Sequence, residues 1–464
     1  MAGSTLPGFR DFYPEDFAQR AHIFGAWREV ARRHAFVEYD GPPLEPLSLY
    51  TEKSGDEIVG QLYNFIDKGQ REVALRPEMT PTFARMVAER ANALRKPVRW
   101  FSIPQLFRYE RTQRGRLREH FQLNVDIVGE PSEVADAELL SVAIDVMRQL
   151  GLGPTDVRAR ISDRRLLSSI LSRIGLHDAQ IRGVFSVIDR FERTPPAESF
   201  EFLAGLGLSA EQVHVVIMLT EKPSIETLFQ MFDSDGELGE RFSSISRYFT
   251  HLEALGIREW VEFDPTIVRG LAYYTGIVFE LFDAHGEFRA ICGGGRYDTL
   301  LRSLGGVDLP ALGFGMGDVV LGELLKSRGL MPRTSGTGAE LFVVGGRGAA
   351  YHRVGPAMRL ASVLRGFGTS VDYSLNIEGY ELKQFRNQID SAKKSGARAA
   401  IFFDDFASVT VQSLSGKLSD APSFVFPAPP LLDAVPPAVI EFQRLLRGLL
   451  AHPPSVDTSH SRYQ

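Results

Sequence analysis

The run HFQLNVDIVG at residues 120–129 alternates without a break. Phe121, Leu123, Val125 and Ile127 point one way and Gln122, Asn124 and Asp126 the other, because successive side chains of an extended strand face opposite sides. A segment written this way commits the chain to a sheet with one apolar face and one polar face. Just before it, FRYERTQRGRLREHFQ (107–122) carries Arg108, Arg111, Arg114, Arg116 and Arg118 against Glu110 and Glu119. This stretch separates an extended run ending at Arg108 from the alternating strand, so it reads as a long hairpin loop. Guanidinium groups donate in a fixed fork and stay charged, which suits phosphate oxygens. An arginine cluster by itself is more often a solvated loop. Here the neighbouring strand presents Gln122 and Asp126 two pleats apart beside Arg108, and a floor for a ligand is the better reading.

Composition narrows the function classes. Lysine plus arginine against aspartate plus glutamate is 52 − 58 = −6, so any nucleic-acid binding rests on local patches and not on the global field. Cys292 is the only cysteine, which excludes an intrachain disulfide and a cysteine-rich zinc site. The ten histidines show no metal-like spacing, and no nucleophile–histidine arrangement is evident. No apolar run reaches the roughly 18–20 residues of a membrane span. The start, MAGSTLPGFRDFYPED, has neither an apolar signal core nor an arginine-rich leader. The expectation is a soluble, cytoplasmic protein with no membrane partner.

At 464 residues the chain has room for two or three domains. Residues 16–36 have helical spacing, with Phe17, Ala21, Phe24, Trp27 and Ala31 on the expected buried side. Strand-like runs fill 60–130, and a helix at 133–150 places Ala135, Leu139, Leu140, Ala143, Ile144 and Met147 on one side. Residues 163–256 read as an α-helical insertion, broken by a Pro pair at 195–196. Strand signals return at IVFELFD (277–283) and FRAICGGG (288–295). MPRTSGTG (331–338) has the composition of a linker. Beyond it, 339–418 alternates strand and helix (helices at 349–366 and 381–395), which predicts a small α/β domain. Residues 419–464 form a C-terminal extension, expected to be partly disordered.

Two further segments carry chemistry. In VALRPEMTPTFARM (73–86), Arg76, Glu78 and Thr80 share one face if the run is a strand, and the last two offer oxygens to an ammonium group. Alone, this is more often a surface strand. IVRGLAYYTGIVFELF (267–282) and CGGGRYD (292–298) combine paired tyrosines with three consecutive glycines, which permit close backbone approach. As a phosphate loop the glycines are a weak signal, and the tyrosines could be core aromatics.

Together these residues resemble histidyl-tRNA synthetases, class II aminoacyl-tRNA synthetases. The resemblance runs from LPGFRDFYPED to about residue 418. PPLEPLSLYTEKSGDEIVGQLYNF is similar to the family's first motif, with Pro42 as the motif proline; LRPEMT and FRYERTQRGRLREHFQLNVDIVG are similar to the approach to the second motif and the motif itself. VRGLAYYTG and GGGRYD resemble the two histidine-specific motifs. The resemblance implies an α+β fold: an antiparallel catalytic core with flanking helices over 1–330, the helical insertion, and an anticodon-binding domain over 339–418. It implies ATP-dependent activation of L-histidine and its transfer to tRNA(His), with Mg²⁺ accompanying ATP, in a homodimer.

The implied roles are specific. Glu78, Thr80 and Gln122 hold the α-amino group of histidine; Asp126 and Tyr274 address the imidazole, with Tyr273 shaping the pocket. Arg108 holds the α-phosphate and Arg269 stabilises the adenylation transition state from the other side, with Glu110 also at the ATP site. Gln113, Arg114, Arg116 and Arg118 lie in the loop that reaches for the tRNA acceptor end. Lys383, Arg386, Lys393 and Lys394 are candidate anticodon contacts, though helix-surface charges can equally be solvated.

The chain departs from the family pattern in three places. GFGMGDVVLGELL puts Val320 where an arginine usually meets the γ-phosphate, a form that some organellar and bacterial members share; another cation, Arg114 or Arg116, then has to serve. Ala272 stands where an aspartate is common. Asp126 is one methylene shorter than the usual glutamate, which asks for a shifted imidazole or a bridging water. A rival reading is the histidine-sensing regulatory subunit of ATP phosphoribosyltransferase, a non-catalytic paralogue. The presence of Arg108 and Arg269 and of residues 339–418 counts against it. A synthetase for another amino acid fits poorly with the YYTG and GGGRYD pair.

Overall fold

The computed structural model describes residues 5–51, 59–111, 113, 115–191, 194–232, 235–268, 274–332, 339–344, 354–375, 385–403, 408–414 and 424–427. The chain divides into two compact units, residues 1–11 with 19–332 and residues 12–18 with 333–464.

The first unit is built on a nine-stranded sheet. Its strands are β1 (Val37–Glu38), β5 (Val98–Ser102), β6 (Gln105–Phe107), β7 (Glu119–Val128), β8 (Val157–Asp163), β9 (Val261–Phe263), β10 (Ile277–Asp283), β11 (Cys292–Arg296) and β12 (Ala311–Gly317). They run in the order β1-β5-β7-β12-β11-β10-β8-β9, with β6 also on β7. Pairing is antiparallel except for β1 with β5 and β8 with β9. A separate three-stranded sheet orders β2 (Leu44–Pro46), β4 (Glu72–Leu75) and β3 (Tyr63–Ile66) as β2-β4-β3. The expected hairpin is present: Phe107 of β6 pairs with Glu119 of β7, leaving 108–118 as its loop.

The alternation in β7 sets the two faces of the sheet. Leu123, Val125 and Ile127 are fully buried, in one cluster with Phe279, Leu281, Leu312, Phe314 and Met316 from the neighbouring strands. Helix Glu133–Gln149 covers this face with Ala135, Leu139, Leu140, Ala143, Ile144 and Met147, all buried. Each large apolar side chain so buried stabilises the unit by about 1.5–3 kcal/mol. The first helix, Pro14–Arg33, buries Trp27 and Ala31 as expected, but the rest of its inward side differs from the expected one. Ile23, Ala26, Trp27, Val30 and Ala31 are buried, Phe24 is half-buried and stacked on Trp27, and Phe17 is 50% exposed. Positions 23, 26, 27 and 30 follow the i, i+3, i+4, i+7 stripe better than the phenylalanine series does.

Among the described residues, six α-helices lie between β8 and β9, from Arg164–Arg173 to Gly236–Ala254. Their ends are written locally: Asp163 caps the first, while His177 with Gln180 and Ser209 with Gln212 form capping boxes. The proline pair at 195–196 opens a helix, with Pro196 in its first turn.

The second unit contains β13 (Leu341–Val344), β14 (Val371–Tyr373), β15 (Ala399–Phe403), β16 (Ser408–Ser413) and β17 (Phe424–Pro427), ordered β14-β13-β15-β16-β17. β17 lies in the extension expected to be partly disordered, and pairs antiparallel with β16. Helices occupy Val354–Gly366 and Phe385–Lys394; residues 349–353 and 381–384 of the expected helices lie outside the described residues.

Candidate active site

Sheet register determines what stands on the polar face. Gln122, Asn124 and Asp126 of β7 pair with Gly317, Gly315 and Gly313 of β12. Beyond them Gly315 and Gly313 pair with Gly293 and Gly295 of β11, and Gly293 pairs with Glu280 of β10. The face is polar on one strand and bare on the next two. Two of these glycines leave room for the polar side chains: a Cβ on Gly315 would stand 2.7 Å from the Gln122 carboxamide carbon, and one on Gly313 would overlap the Asp126 carboxylate and lie 2.9 Å from the Tyr297 hydroxyl, so Gln122 and Asp126 could not keep their places.

Over one end of this floor the hairpin loop closes a cavity of about 280 Å³, lined by Arg108, Glu110, Arg116, Gln122, Glu280 and Val320 among others. Arg108 is held from behind. Its Nε donates to the Pro77 carbonyl at 2.9 Å and its backbone N–H to the Arg118 carbonyl at 3.0 Å. Among the described residues no carboxylate is paired with it, so the guanidinium keeps its charge for an anion in the cavity. Arg116 is directed by an ion pair with Glu110 at 3.0 Å. A Cβ on Gly115 would meet a Val320 methyl at 3.4 Å, so the loop passes close to that side chain. His120 also lines the cavity. Desolvation first, then the charges of Arg108 and Arg10, push its pKa down to about 3, so the ring is neutral.

Two pleats further along, Asp126 is buried, and the Tyr297 hydroxyl donates a short hydrogen bond to its Oδ1. Burial pushes this carboxyl up to about 7, with the Tyr297 bond opposing the rise. Tyr274 is buried with its ring 6.5 Å from that of Tyr297. It also borders a larger cavity, about 800 Å³, among the insertion helices, where arginines and the carboxylates of Asp178, Asp235 and Glu237 share the walls.

The approach segment differs from its sequence reading. β4 ends at Leu75 and Thr80 begins the helix Thr80–Arg90, so Arg76, Glu78 and Thr80 do not share a strand face. Pro77 and Pro81 end the period-2 pattern. Arg76 is buried and donates to Asp40 at 2.7 Å and to the carbonyls of Gly41 and Gln105 at 2.8 and 3.0 Å. It is a clamp, and the loop it fixes carries buried Glu78 next to the Pro77 carbonyl that anchors Arg108. Gln113 is exposed and accepts from Arg289 at 3.0 Å; Arg118 lies over the Tyr109 ring at 4.2 Å and donates to the Glu110 carbonyl at 3.2 Å. Arg114, Arg269, Ala272, Tyr273 and Lys383 lie outside the described residues, as does the side chain of Arg386; Lys393 and Lys394 are exposed in the last turn of their helix.

Sequence reading missed four groups: Tyr297, Glu280, His120 and Asp318. For His120 a signal existed, since it falls in step with the polar positions Gln122, Asn124 and Asp126 of its strand. Asp318 follows the glycine-rich β12 and pins the strand-to-helix corner: its Oδ1 accepts from the Phe121 N–H at 2.9 Å and its Oδ2 from Arg10 at 3.0 Å. Arg10 also donates to buried Glu119 at 2.6 Å.

The sequence profile of histidyl-tRNA synthetases matches residues 8–317. The chain belongs to the histidyl-tRNA synthetase family. A histidine–tRNA ligase of Opitutus terrae is 45% identical over 409 residues, 86% of this chain and 90% of that protein. A chloroplastic/mitochondrial histidine–tRNA ligase of Arabidopsis thaliana is 40% identical over 423 residues, 89% and 85% of the two chains. The crystal structure of histidyl-tRNA synthetase from Nostoc sp. PCC 7120 superposes with a TM-score of 0.76 at 22% identity, covering 96% of this chain and all of that one. The fold is that of the class II synthetases. Among the described residues no helix is long and apolar enough to cross a membrane.

Proposed function

We propose that this protein is a histidine–tRNA ligase that joins L-histidine to tRNA(His) in two steps. In the first, a histidine carboxylate oxygen attacks the α-phosphate of ATP, the bond to the bridging oxygen breaks, and pyrophosphate leaves with that electron pair. In the second, a terminal ribose hydroxyl of tRNA(His) attacks the carbonyl of the adenylate, and AMP leaves. Negative charge gathers on the α-phosphate in the first step. Arg108, fixed through Pro77, meets it without rearrangement, and Arg269 is assigned the opposite side. Gln122, Glu78 and Thr80 hold the α-amino group. Asp126, supported by Tyr297, takes the imidazole with Tyr274 and Tyr273.

Glu110 and Arg116 are assigned to the ATP side of the hairpin loop, with Arg116 serving the γ-phosphate that Val320 cannot. Mg²⁺ would travel with the ATP phosphates. The described residues hold no group of three or more His, Cys, Asp or Glu for a metal of their own, while Glu280 offers carboxylate oxygens to a phosphate-borne ion at the cavity wall. Gln113, Arg114, Arg116 and Arg118 are assigned to the tRNA acceptor end, 1–330 to catalysis and 339–418 to the anticodon. A homodimer is supported by Leu44, Phe65 and Ile66, exposed by 37%, 50% and 62% on the three-stranded sheet of the first-motif segment. We place the protein in the cytoplasm.

The observation that carries this reading is one strand face carrying Gln122 and Asp126 beside Gly315 and Gly313, with Arg108 lining the same cavity as Gln122. Histidine-dependent ATP–pyrophosphate exchange, followed by charging of tRNA(His), tests it. Tight histidine binding with no exchange would overturn it in favour of the regulatory-subunit reading.

A further inference from the structure

We infer that Tyr39 and Ser102 form a polar back wall to the histidine side-chain pocket, holding one water against the Asp126 carboxylate and so setting affinity for the amino acid. This rests on the reading that Asp126 meets the imidazole. The backbone makes the juxtaposition. Tyr39 N–H donates to the Phe101 carbonyl at 2.9 Å, extending the parallel register Val37–Trp100 and Glu38–Phe101 and bringing Tyr39 level with Ser102. On the other edge of β5, Trp100 pairs with Asp126 and Ser102 with Asn124. Tyr39, Ser102 and Asp126 therefore stand on the same face of three adjacent strands.

The Tyr39 ring is fixed between Phe83 and Trp100, with centroids 5.5 and 5.4 Å away. Among the described residues its buried hydroxyl has no hydrogen bond of ordinary geometry, and neither has the hydroxyl of Ser102, a fully buried residue. The two hydroxyls approach one another without completing a bond of ordinary geometry, and burial together with the nearby Asp126 charge raises the Tyr39 pKa well above its usual value. One orphaned buried hydroxyl is uncommon, because it forfeits its hydration. Two side by side, next to a carboxylate, point to a shared polar partner. A buried water needs two to four such neighbours. The two hydroxyls and the second oxygen of Asp126, whose first is taken by Tyr297, supply three. The same geometry accounts for the short side chain at 126: a glutamate would carry its carboxylate one methylene further, into the place the water fills.

Purified full-length protein assayed by ATP–pyrophosphate exchange decides the matter. Tyr39→Phe keeps the ring and removes the hydroxyl; it should raise KM for histidine about tenfold, with kcat and KM for ATP within about twofold. Ser102→Ala should do the same. The double variant should be no worse than the worse single one, because both lose the same water. In an Asp126→Glu background, Tyr39→Phe should shift KM less than about twofold. A histidine KM unmoved by Tyr39→Phe, multiplying effects in the double variant, or an undiminished Tyr39→Phe effect in the Asp126→Glu background would each overturn the inference. If Asp126→Glu is inactive, the Tyr39–Ser102 pair decides alone. Asp126→Asn separates the two levels: an unchanged histidine KM there overturns the imidazole assignment itself, whereas a raised KM with a silent Tyr39→Phe overturns only the back wall.

Discussion

Tyr297→Phe removes one hydroxyl and nothing else, which makes it the sharpest test of the imidazole pocket. In the native site burial raises the Asp126 carboxyl to about 7 while the Tyr297 bond works against the rise. A hydrogen bond to a charged group contributes about 1.5–3 kcal/mol, and about 1.4 kcal/mol corresponds to one pH unit of titration. Without the hydroxyl the carboxylate should form about one to two pH units later. If the ionised form receives the imidazole, a half-ionised site at pH 7 becomes roughly 1–10% ionised, and kcat/KM for histidine falls about five- to fiftyfold. The loss should be largely recovered near pH 9. Pyrophosphate exchange measured from about pH 5.5 to 9.5 reads this directly, since the limb from free histidine titrates identically for both proteins. A drop of the same size at every pH, or an acid limb that does not move, would refute the argument. The sign also reaches stability. A carboxyl raised in the fold favours the protonated native state, so its contribution is full below about pH 4 and is lost as pH rises through about 7.

Arg108→Ala should lower the exchange rate by about 10²–10³, the equivalent of roughly 3–4 kcal/mol, with histidine binding by calorimetry nearly unchanged; equal losses in both would mean that it only holds the fold. Asp136→Asn leaves Arg296, only 1% exposed, without the carboxylate it meets at 2.5 Å, and urea unfolding of the first unit should show a loss of about 3–5 kcal/mol. His34 bridges Glu138 at 3.1 Å and Asp145 at 3.0 Å, and the Glu138 bond leads in raising its pKa over the cost of burial. Its stabilisation is therefore complete below about pH 6.5 and fades as pH rises through the raised value; the advantage over His34→Gln in thermal unfolding should shrink on the alkaline side. Val320→Arg should weaken ATP binding despite its added charge, because the new guanidinium would stand with Arg116 in the wall of the same small cavity; a lower KM for ATP would contradict that crowding.

Strands were legible where apolar residues ran together or alternated at period 2 and nothing local competed. IVFELFD coincides with β10, and the β7 alternation named both faces of the central sheet. The approach segment was misread because period 2 carries no information about where a strand stops: Arg76 turns into a clamp on Asp40 and Glu78 sits on a loop. The first helix misled through its phenylalanines, since Phe17 lies too far toward the amino end to reach the core. At the site, single-strand reasoning found Gln122 and Asp126 but could not see Tyr39, Ser102 or Tyr297. Tyr39 and Ser102 come to the face of Asp126 only through cross-strand register, and Tyr297 reaches it only through a tertiary hydrogen bond.

The GFGMGD segment is better understood as a rearrangement than as a loss. Its glycines clear the floor under Gln122 and Asp126. Its aspartate, Asp318, ties the start of the following helix to β7 through the Phe121 N–H and to Arg10, and Val320 packs against the core as part of that corner. Val320 lines the cavity from the helix side, and Arg116 enters the same cavity from the loop, steered by Glu110. The cation that the helix lacks can thus be supplied from a segment that also carries Gln113 and Arg118. On the proposed function this placement would couple two duties, because a loop drawn inward by the phosphates of ATP is held differently from one left to meet RNA.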